Sequence, residues 1–244
     1  MKLLLDMGNT RLKWGLADGS QPDGLRIQNS GALDYGSESL AAWGAALQSH
    51  TLHDVCFASV VDAARETAVL SRLPAHVAPR RLVVSQKIVD LENAYATPET
   101  LGVDRWAAAI GAWSLMGKPC LVIGAGTATT IDVIQAKGRG AVYRGGLIVP
   151  GIHLMLEALH GRTARLPQAK GDYRAAPAVA DNTVDAMTSG AVEATCGAIE
   201  RMARRLDDDS PWIVTGGDAQ RIASALGARA SVIDGLVLEG LARV

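Results

Sequence analysis

The sequence is short of cysteine, of aromatic residues and of any charge imbalance, and each shortage excludes something. Its three cysteines are Cys56, Cys120 and Cys196. Few, odd in number and far apart, they frame neither a disulfide scaffold nor a zinc cluster, which predicts a reduced, intracellular setting. Lys and Arg total 24 against 25 Asp and Glu, a net charge of −1. Such a chain has no basic excess to release counterions from nucleic acid and no polybasic face for anionic lipid. After Lys2 the apolar run Leu3-Leu4-Leu5 stops at Asp6, too short for a signal-peptide core. Nowhere does an apolar run approach the roughly 18 residues that cross a membrane. The five histidines (His50, His53, His76, His153 and His160) lack metal-ligand spacing, and no Gly-x-Ser-x-Gly nucleophile motif occurs. A cytoplasmic globule with neither nucleic-acid nor membrane partner is expected.

What is present is enough to fold. With 244 residues, 48% of them apolar, the chain can bury a sizeable core as one large domain or two small ones. Its 26 glycines predict tight turns and close backbone approaches. Short apolar runs alternate with helical patterns, as in an α/β protein. Strands are expected at 2–7, 11–18, 55–58, 82–84, 121–123, 128–134, up to about 149, and 212–214. Helices are expected at 37–49, 61–72, 103–116, 151–160, 184–205, 218–226 and 235–243, with a loop over 85–101. The acidic run Asp207-Asp208-Asp209 reads as a solvated helix end.

Two segments look alike. Leu3-Leu-Leu-Asp-Met-Gly-Asn-Thr10 and Leu121-Val-Ile-Gly-Ala-Gly-Thr127 each place a buried strand before a Gly and a Thr, with a second strand following at once. They stand about half a chain apart. The pattern fits either an internal duplication or chance, since strand–Gly–Thr is common.

Asp6-Met7-Gly8-Asn9-Thr10-Arg11-Leu12-Lys13 fits a phosphate-holding turn. Its backbone N–H groups can converge on an anion, Asn9 and Thr10 add donors, and Lys13 adds a cation. Asp6 interrupts an apolar strand and suits Mg²⁺, held directly or through water. An ordinary hairpin with Asp and Asn serving its turn is the alternative. Gly124-Ala-Gly-Thr-Ala-Thr-Thr-Ile-Asp132 imitates a dinucleotide fingerprint, but Thr129 stands where the third glycine belongs and a strand follows where a helix is required. A second phosphate-holding hairpin accounts for both departures. In Leu101-Gly-Val-Asp-Arg-Trp106, Asp104 lies where a helix begins, and helix capping explains it as readily as chemistry.

Together with Tyr95, Pro98, Gly145-Gly-Leu-Ile-Val-Pro-Gly151, Thr163-Ala-Arg-Leu-Pro167, Asn182-Thr183 and Thr215-Gly-Gly-Asp218, these segments resemble type III pantothenate kinases. That family includes members named Bvg accessory factor. The resemblance runs over nearly the whole chain in the right order. It implies an actin-like, sugar-kinase-like (ASKHA) fold of two duplicated α/β domains, 1–116 and 117–244, with nucleotide in the cleft between them. It implies phosphorylation of pantothenate by ATP to 4′-phosphopantothenate, at the start of coenzyme A synthesis, by a homodimer. ATP contacts fall on Asp6, Met7, Gly8, Asn9, Thr10, Arg11, Leu12, Lys13 and Thr127, with Thr215 to Asp218 on the nucleoside side. Asp104 becomes the catalytic base, and Tyr95, Gly102, Val103, Asp104, Arg105 and Thr183 surround pantothenate. Family members commonly carry Asp where this chain has Gly124, a carboxylate associated with an activating monovalent cation (K⁺ or NH₄⁺), so weakened activation is expected. Two rival readings share the fold: a non-catalytic accessory protein, and a kinase of another hydroxy substrate.

Overall fold

A computed structural model describes residues 1–19, 26–88, 90–168 and 171–244. Its elements follow in chain order as β1 (Lys2–Met7), β2 (Leu12–Asp18), β3 (Arg26–Leu33), α1 (Ser37–Leu47), β4 (Asp54–Ser59), α2 (Ala63–Leu70), β5 (Pro79–Arg81), β6 (Lys87–Ile88), β7 (Leu91–Asn93) and α3 (Val103–Met116). Then come β8 (Cys120–Ala125), β9 (Ala128–Lys137), β10 (Gly140–Pro150), α4 (Ile152–Arg162), α5 (Thr183–Ala203), β11 (Trp212–Thr215), α6 (Ala219–Leu226), β12 (Ala230–Val232) and α7 (Leu236–Ala242). The chain forms two compact units. The first comprises Met1–Gly117, Gly138–Val142 and Gly235–Val244, the second Lys118–Lys137 and Tyr143–Asp234.

In the first unit the strand order is β3-β2-β1-β4-β5. β1 runs antiparallel to β2 and parallel to β4, and every residue of it is buried. Side chains alternate across a strand. Leu3, Leu5 and Met7 therefore share one face, where they pack with Leu40, Trp43 and Leu47 of α1 and Val69 of α2. Lys2, Leu4 and Asp6 take the opposite face. That face is covered by α7: Gly15, the cross-strand partner of Leu4, comes so near Leu238 that a Cβ would lie 3.4 Å from its Cδ1. α3 and α7 meet backbone to backbone, because a Cβ on Gly240 would strike the Ala107 carbonyl and one on Gly111 the Leu236 carbonyl. Only glycine permits that approach.

The second unit repeats the design. Its strands run β10-β9-β8-β11-β12, with β8 antiparallel to β9 and parallel to β11, and β11 parallel to β12. Leu121, Ile123, Ala125, Ile131 and Val133 pack on Met187, Val192 and Ile199 of α5 and Ile222 of α6. The likeness between the two strand–Gly–Thr segments is thus a duplication of whole α/β arrangements, not chance. In it Gly124 stands where β1 has Asp6, and Thr130 where β2 has Lys13.

Two expectations are corrected. The strand placed at 82–84 lies at β5, where Pro79 and Arg81 pair with Val55 and Phe57, while Val83 is 69% exposed. Pairing partners set that strand, not its apolar content. The loop expected over 85–101, of which Val89 lies outside the described residues, contains the β6–β7 hairpin and a 3₁₀ turn at Pro98–Thr100. Strands of two and three residues are too short to display a period. β3 and β12 went unread for the related reason that neither carries a continuous apolar run.

Candidate functional site

The first hairpin places the acidic and basic ends of its motif side by side. Asp6 and Lys13 are direct partners across β1 and β2, so their side chains project from the same sheet face. Met7 and Leu12 close the ladder and bury their side chains in the core, leaving only backbone to face a ligand. Gly8 to Arg11 form the turn, with Asn9, Thr10 and Arg11 exposed. Residues not singled out from the sequence hold this turn in place. Tyr35 Oη donates to the Gly8 carbonyl at 2.7 Å, and Arg65 Nη1 to the Asn9 carbonyl at 3.2 Å.

Asp104 occupies the first turn of α3, but it does not cap the helix. Gly102 takes the cap position, and Asp104 Oδ1 accepts from the Arg105 amide at 2.9 Å. A carboxylate there also favours the positive end of the helix dipole. Arg105 is buried, 6% exposed, and its Nη1 donates to Tyr95 Oη at 3.3 Å. The Tyr95 amide in turn donates to Asn93 Oδ1 at 2.9 Å, which ties the tyrosine to the end of β7. Gly102, Val103, Asp104, Arg105 and Tyr95 therefore form one cluster.

Asp6 and Asp104, distant in sequence, act on each other electrostatically. Burial pushes the Asp6 carboxyl up from 3.8 to about 6, Lys13 pulls it down, and the Asp104 charge pushes it up. A buried acid with a second acid in its field is a setting for a cation. Among the described residues no group of three His, Cys, Asp or Glu side chains could hold a metal. One or two carboxylates suffice for Mg²⁺, which keeps several waters and takes its other ligands from phosphates, so Asp6 fits that ion.

In the second unit Thr127 sits exposed in the β8–β9 turn, and its carbonyl accepts from the Gly151 amide at the start of α4. Gly216, at φ 109°, lies so close to this turn that a Cβ would strike the Ala125 carbonyl, and the Asp218 amide donates to that same carbonyl at 3.2 Å. The Thr-Gly-Gly-Asp segment and the second phosphate-loop candidate are thus neighbours. Gly124 does not fit a cation site. No carboxylate stands there, and Thr130 Oγ1 fills the space over it, 2.6 Å from where a Cβ would be. Asp132, two residues beyond Thr130 on β9, is buried and accepts from Tyr143 Oη at 2.8 Å.

Thr183 opens α5 next to its cap, Asn182, whose side chain accepts from the Asp185 amide. The Asp185 carboxylate gathers Asn182, Arg174 and the Asp172 amide around this corner. Of the small residues along α5, Ala191 belongs to the core with Met187, whereas Ala186, Gly190, Ala194 and Gly197 are exposed along one stripe.

Comparison with known proteins places this geometry. Residues 2–205 match the family model of type III pantothenate kinase. A type III pantothenate kinase of Aromatoleum aromaticum is 41% identical, covering 100% of this chain and 97% of that protein. One from Azoarcus sp. is 40% identical, covering 99% and 89%. Solved structures share the fold at low identity. A 2-dehydro-3-deoxygalactonokinase-like protein from Sinorhizobium meliloti superposes with a TM-score of 0.60 at 14% identity, covering 99% of this chain and 97% of that one. The activator of 2-hydroxyisocaproyl-CoA dehydratase from Clostridium difficile, with bound ADPNP, gives 0.55 at 10% identity, covering 99% and 92%. The duplicated α/β architecture is that of actin-like and sugar-kinase-like proteins. Among the described residues no helix is long and apolar enough to cross a membrane.

Proposed function

The chain belongs to the type III pantothenate kinase family, and on that premise we propose how its own residues perform the family's reaction. The protein transfers the γ-phosphoryl group of ATP to the primary hydroxyl of pantothenate, giving 4′-phosphopantothenate in the first step of coenzyme A synthesis. The new bond joins the pantothenate oxygen to the γ-phosphorus. The bond from that phosphorus to the bridging oxygen breaks, ADP leaves, and the hydroxyl proton passes to Asp104. A loose transition state of this kind calls for alignment and charge neutralisation more than covalent help.

Asp6 to Lys13 hold the nucleotide phosphates, the turn amides as donors and Lys13 as a cation, with Thr127 as a further nucleotide contact. Mg²⁺, held at Asp6 directly or through water, supplies neutralisation of phosphate charge when bound. Arg105 grips the pantothenate carboxylate with its planar fork, steadied by Tyr95, with Gly102 and Val103 beside it, and the family likeness makes Thr183 a further pantothenate contact. The protein works in the cytoplasm as a homodimer, and the exposed small-residue stripe of α5, which starts at Thr183, supports that assembly. The repeat boundary lies between 116 and 117. Support comes from the matching order of five strands, β3-β2-β1-β4-β5 before it and β10-β9-β8-β11-β12 after it.

The observation that carries this reading is the shared sheet face. Alternation along β1 turns Asp6, and with it Lys13, toward the face that α7 covers in contact with α3, and Asp6 feels the charge of Asp104 at the start of α3. A non-catalytic accessory protein has no physical need for a buried carboxylate opposite a lysine. The deciding experiment is phosphate transfer from ATP with pantothenate, run beside a panel of other hydroxy acids. Transfer to pantothenate alone is expected. Transfer to none would favour the accessory protein, and preference for another acid would favour a different kinase.

A further inference from the structure

Three consecutive carbonyls of the first hairpin turn are each held by a group outside it. The Met7 carbonyl accepts from the Val60 amide at 3.1 Å, the Gly8 carbonyl from Tyr35 Oη at 2.7 Å, and the Asn9 carbonyl from Arg65 Nη1 at 3.2 Å. In a trans peptide the C=O and the next N–H point in opposite directions. The Gly8 and Asn9 carbonyls are held by two groups that lie against each other, so the amides of Asn9 and Thr10 that follow them are turned away from that pair, to one side. Successive amides aimed at one side make a concavity for an anion.

Both side-chain anchors are themselves secured. Tyr35 lies between β3 and α1 and packs its ring on the first core. It is followed by Gly36, whose amide donates to Asp34 Oδ1 and whose carbonyl accepts the Leu40 amide of α1. Arg65 stands in the first turn of α2, behind its cap Asp62, and its guanidinium lies over the Tyr35 ring at 5.5 Å. Burial, followed by the Asp6 charge, pushes the Tyr35 phenol up to about 12, so it remains a donor at any ordinary pH. None of these contacts is needed to close a β-hairpin, which Met7 and Leu12 already do through the ladder.

We infer that Tyr35 and Arg65 are positioning residues for the nucleotide, setting ATP affinity by holding the 8–10 peptide groups with their amides toward its phosphates. The inference rests on the proposed kinase function and adds two residues to its machinery. A merely structural latch would change stability and leave the two substrates equally affected, whereas a positioning role separates them.

The test uses the full chain and the variants Tyr35→Phe, Arg65→Met, Arg65→Lys and the double variant Tyr35→Phe/Arg65→Met. Binding of a non-hydrolysable ATP analogue is measured by calorimetry, alongside KM for ATP and for pantothenate and the melting temperature. Each single loss should weaken analogue binding and raise the KM for ATP by roughly 5- to 10-fold, the effect of one hydrogen bond. The KM for pantothenate should stay within about twofold, and Arg65→Lys should recover part of the loss. Unchanged analogue affinity in the double variant, with the unmodified protein binding normally, would overturn the inference alone. Equal rises in both KM values with a lowered melting temperature would do the same. Failure of the unmodified protein to bind the analogue would overturn the kinase reading, and this inference with it.

Discussion

Asp6 and Lys13 face each other as direct cross-strand partners, yet the carboxyl of Asp6 rises to about 6 because burial and Asp104 outweigh the lysine. A group whose folded pKa is raised stabilises the fold at low pH and loses that contribution as pH climbs through the folded value. For Asp6 the window runs from about 4 to about 6. The displacement from 3.8 corresponds to roughly 3 kcal/mol of folding stability forgone above pH 6. Asp6→Asn should therefore melt higher than the unmodified protein at pH 8 without magnesium, nearly match it at pH 4, and transfer almost no phosphate. Melting curves at the two pH values with a turnover assay check this, and a lower melting point at pH 8 would contradict it.

Asp104→Asn should fold normally, since Gly102 rather than Asp104 holds the cap position and Asn still offers an oxygen to the Arg105 amide. Turnover should fall by roughly 10²- to 10⁴-fold, the usual range for a lost general base. Undiminished turnover would reduce Asp104 to a helix-dipole residue.

Arg105→Lys keeps the charge but removes the planar fork and the Nη1 bond to Tyr95. The KM for pantothenate should rise far more than the KM for ATP. Equal changes in both would mean that Arg105 does not meet the pantothenate carboxylate.

Potassium, ammonium and sodium compared at constant ionic strength should give weaker potassium activation than the family pattern implies. Restoring the carboxylate requires room as well as charge. Gly124→Asp alone meets Thr130 Oγ1 and should lower the melting temperature, whereas Gly124→Asp with Thr130→Ala removes the obstruction. The double variant should show the steeper potassium dependence. A steep requirement in the unmodified protein, unchanged in both variants, would detach the cation response from this position.

The exposed stripe of α5 separates assembly from folding. Among the described residues nothing lies within 4 Å of a Cβ placed on Gly190, so Gly190→Leu should leave the subunit fold intact and even favour the helix. If the stripe lies at the dimer interface, sedimentation should show the variant shifted toward monomer. A dimer unperturbed by this change would move the interface elsewhere.

How much of this was legible in advance follows from how local each signal is. The strands and helices that bury continuous or periodic apolar residues, such as β1 with Leu3 to Leu5 or α3 over 103–116, are written in neighbouring residues and could be read directly. So could the phosphate-turn composition of residues 6–13, because Gly, Asn, Thr and Lys act there within one hairpin. β5 was misplaced and β6, β7 and β12 were missed because short strands are defined by partners far along the chain.

The same division holds for the site. Sequence by itself determined which residue types stand ready for phosphoryl transfer: a buried-strand carboxylate, a lysine seven positions on, and an Asp-Arg pair opening a helix. Tertiary structure alone decided that Asp6 and Asp104 share a field, that Gly102 and not Asp104 caps α3, that Thr130 fills the space over Gly124, and that Tyr35 and Arg65 anchor the first turn. Those relationships depend on the strand pairings, which bring distant segments together, and on alternation, which selects the face each side chain takes. Neither leaves a trace in the residues adjacent to the site.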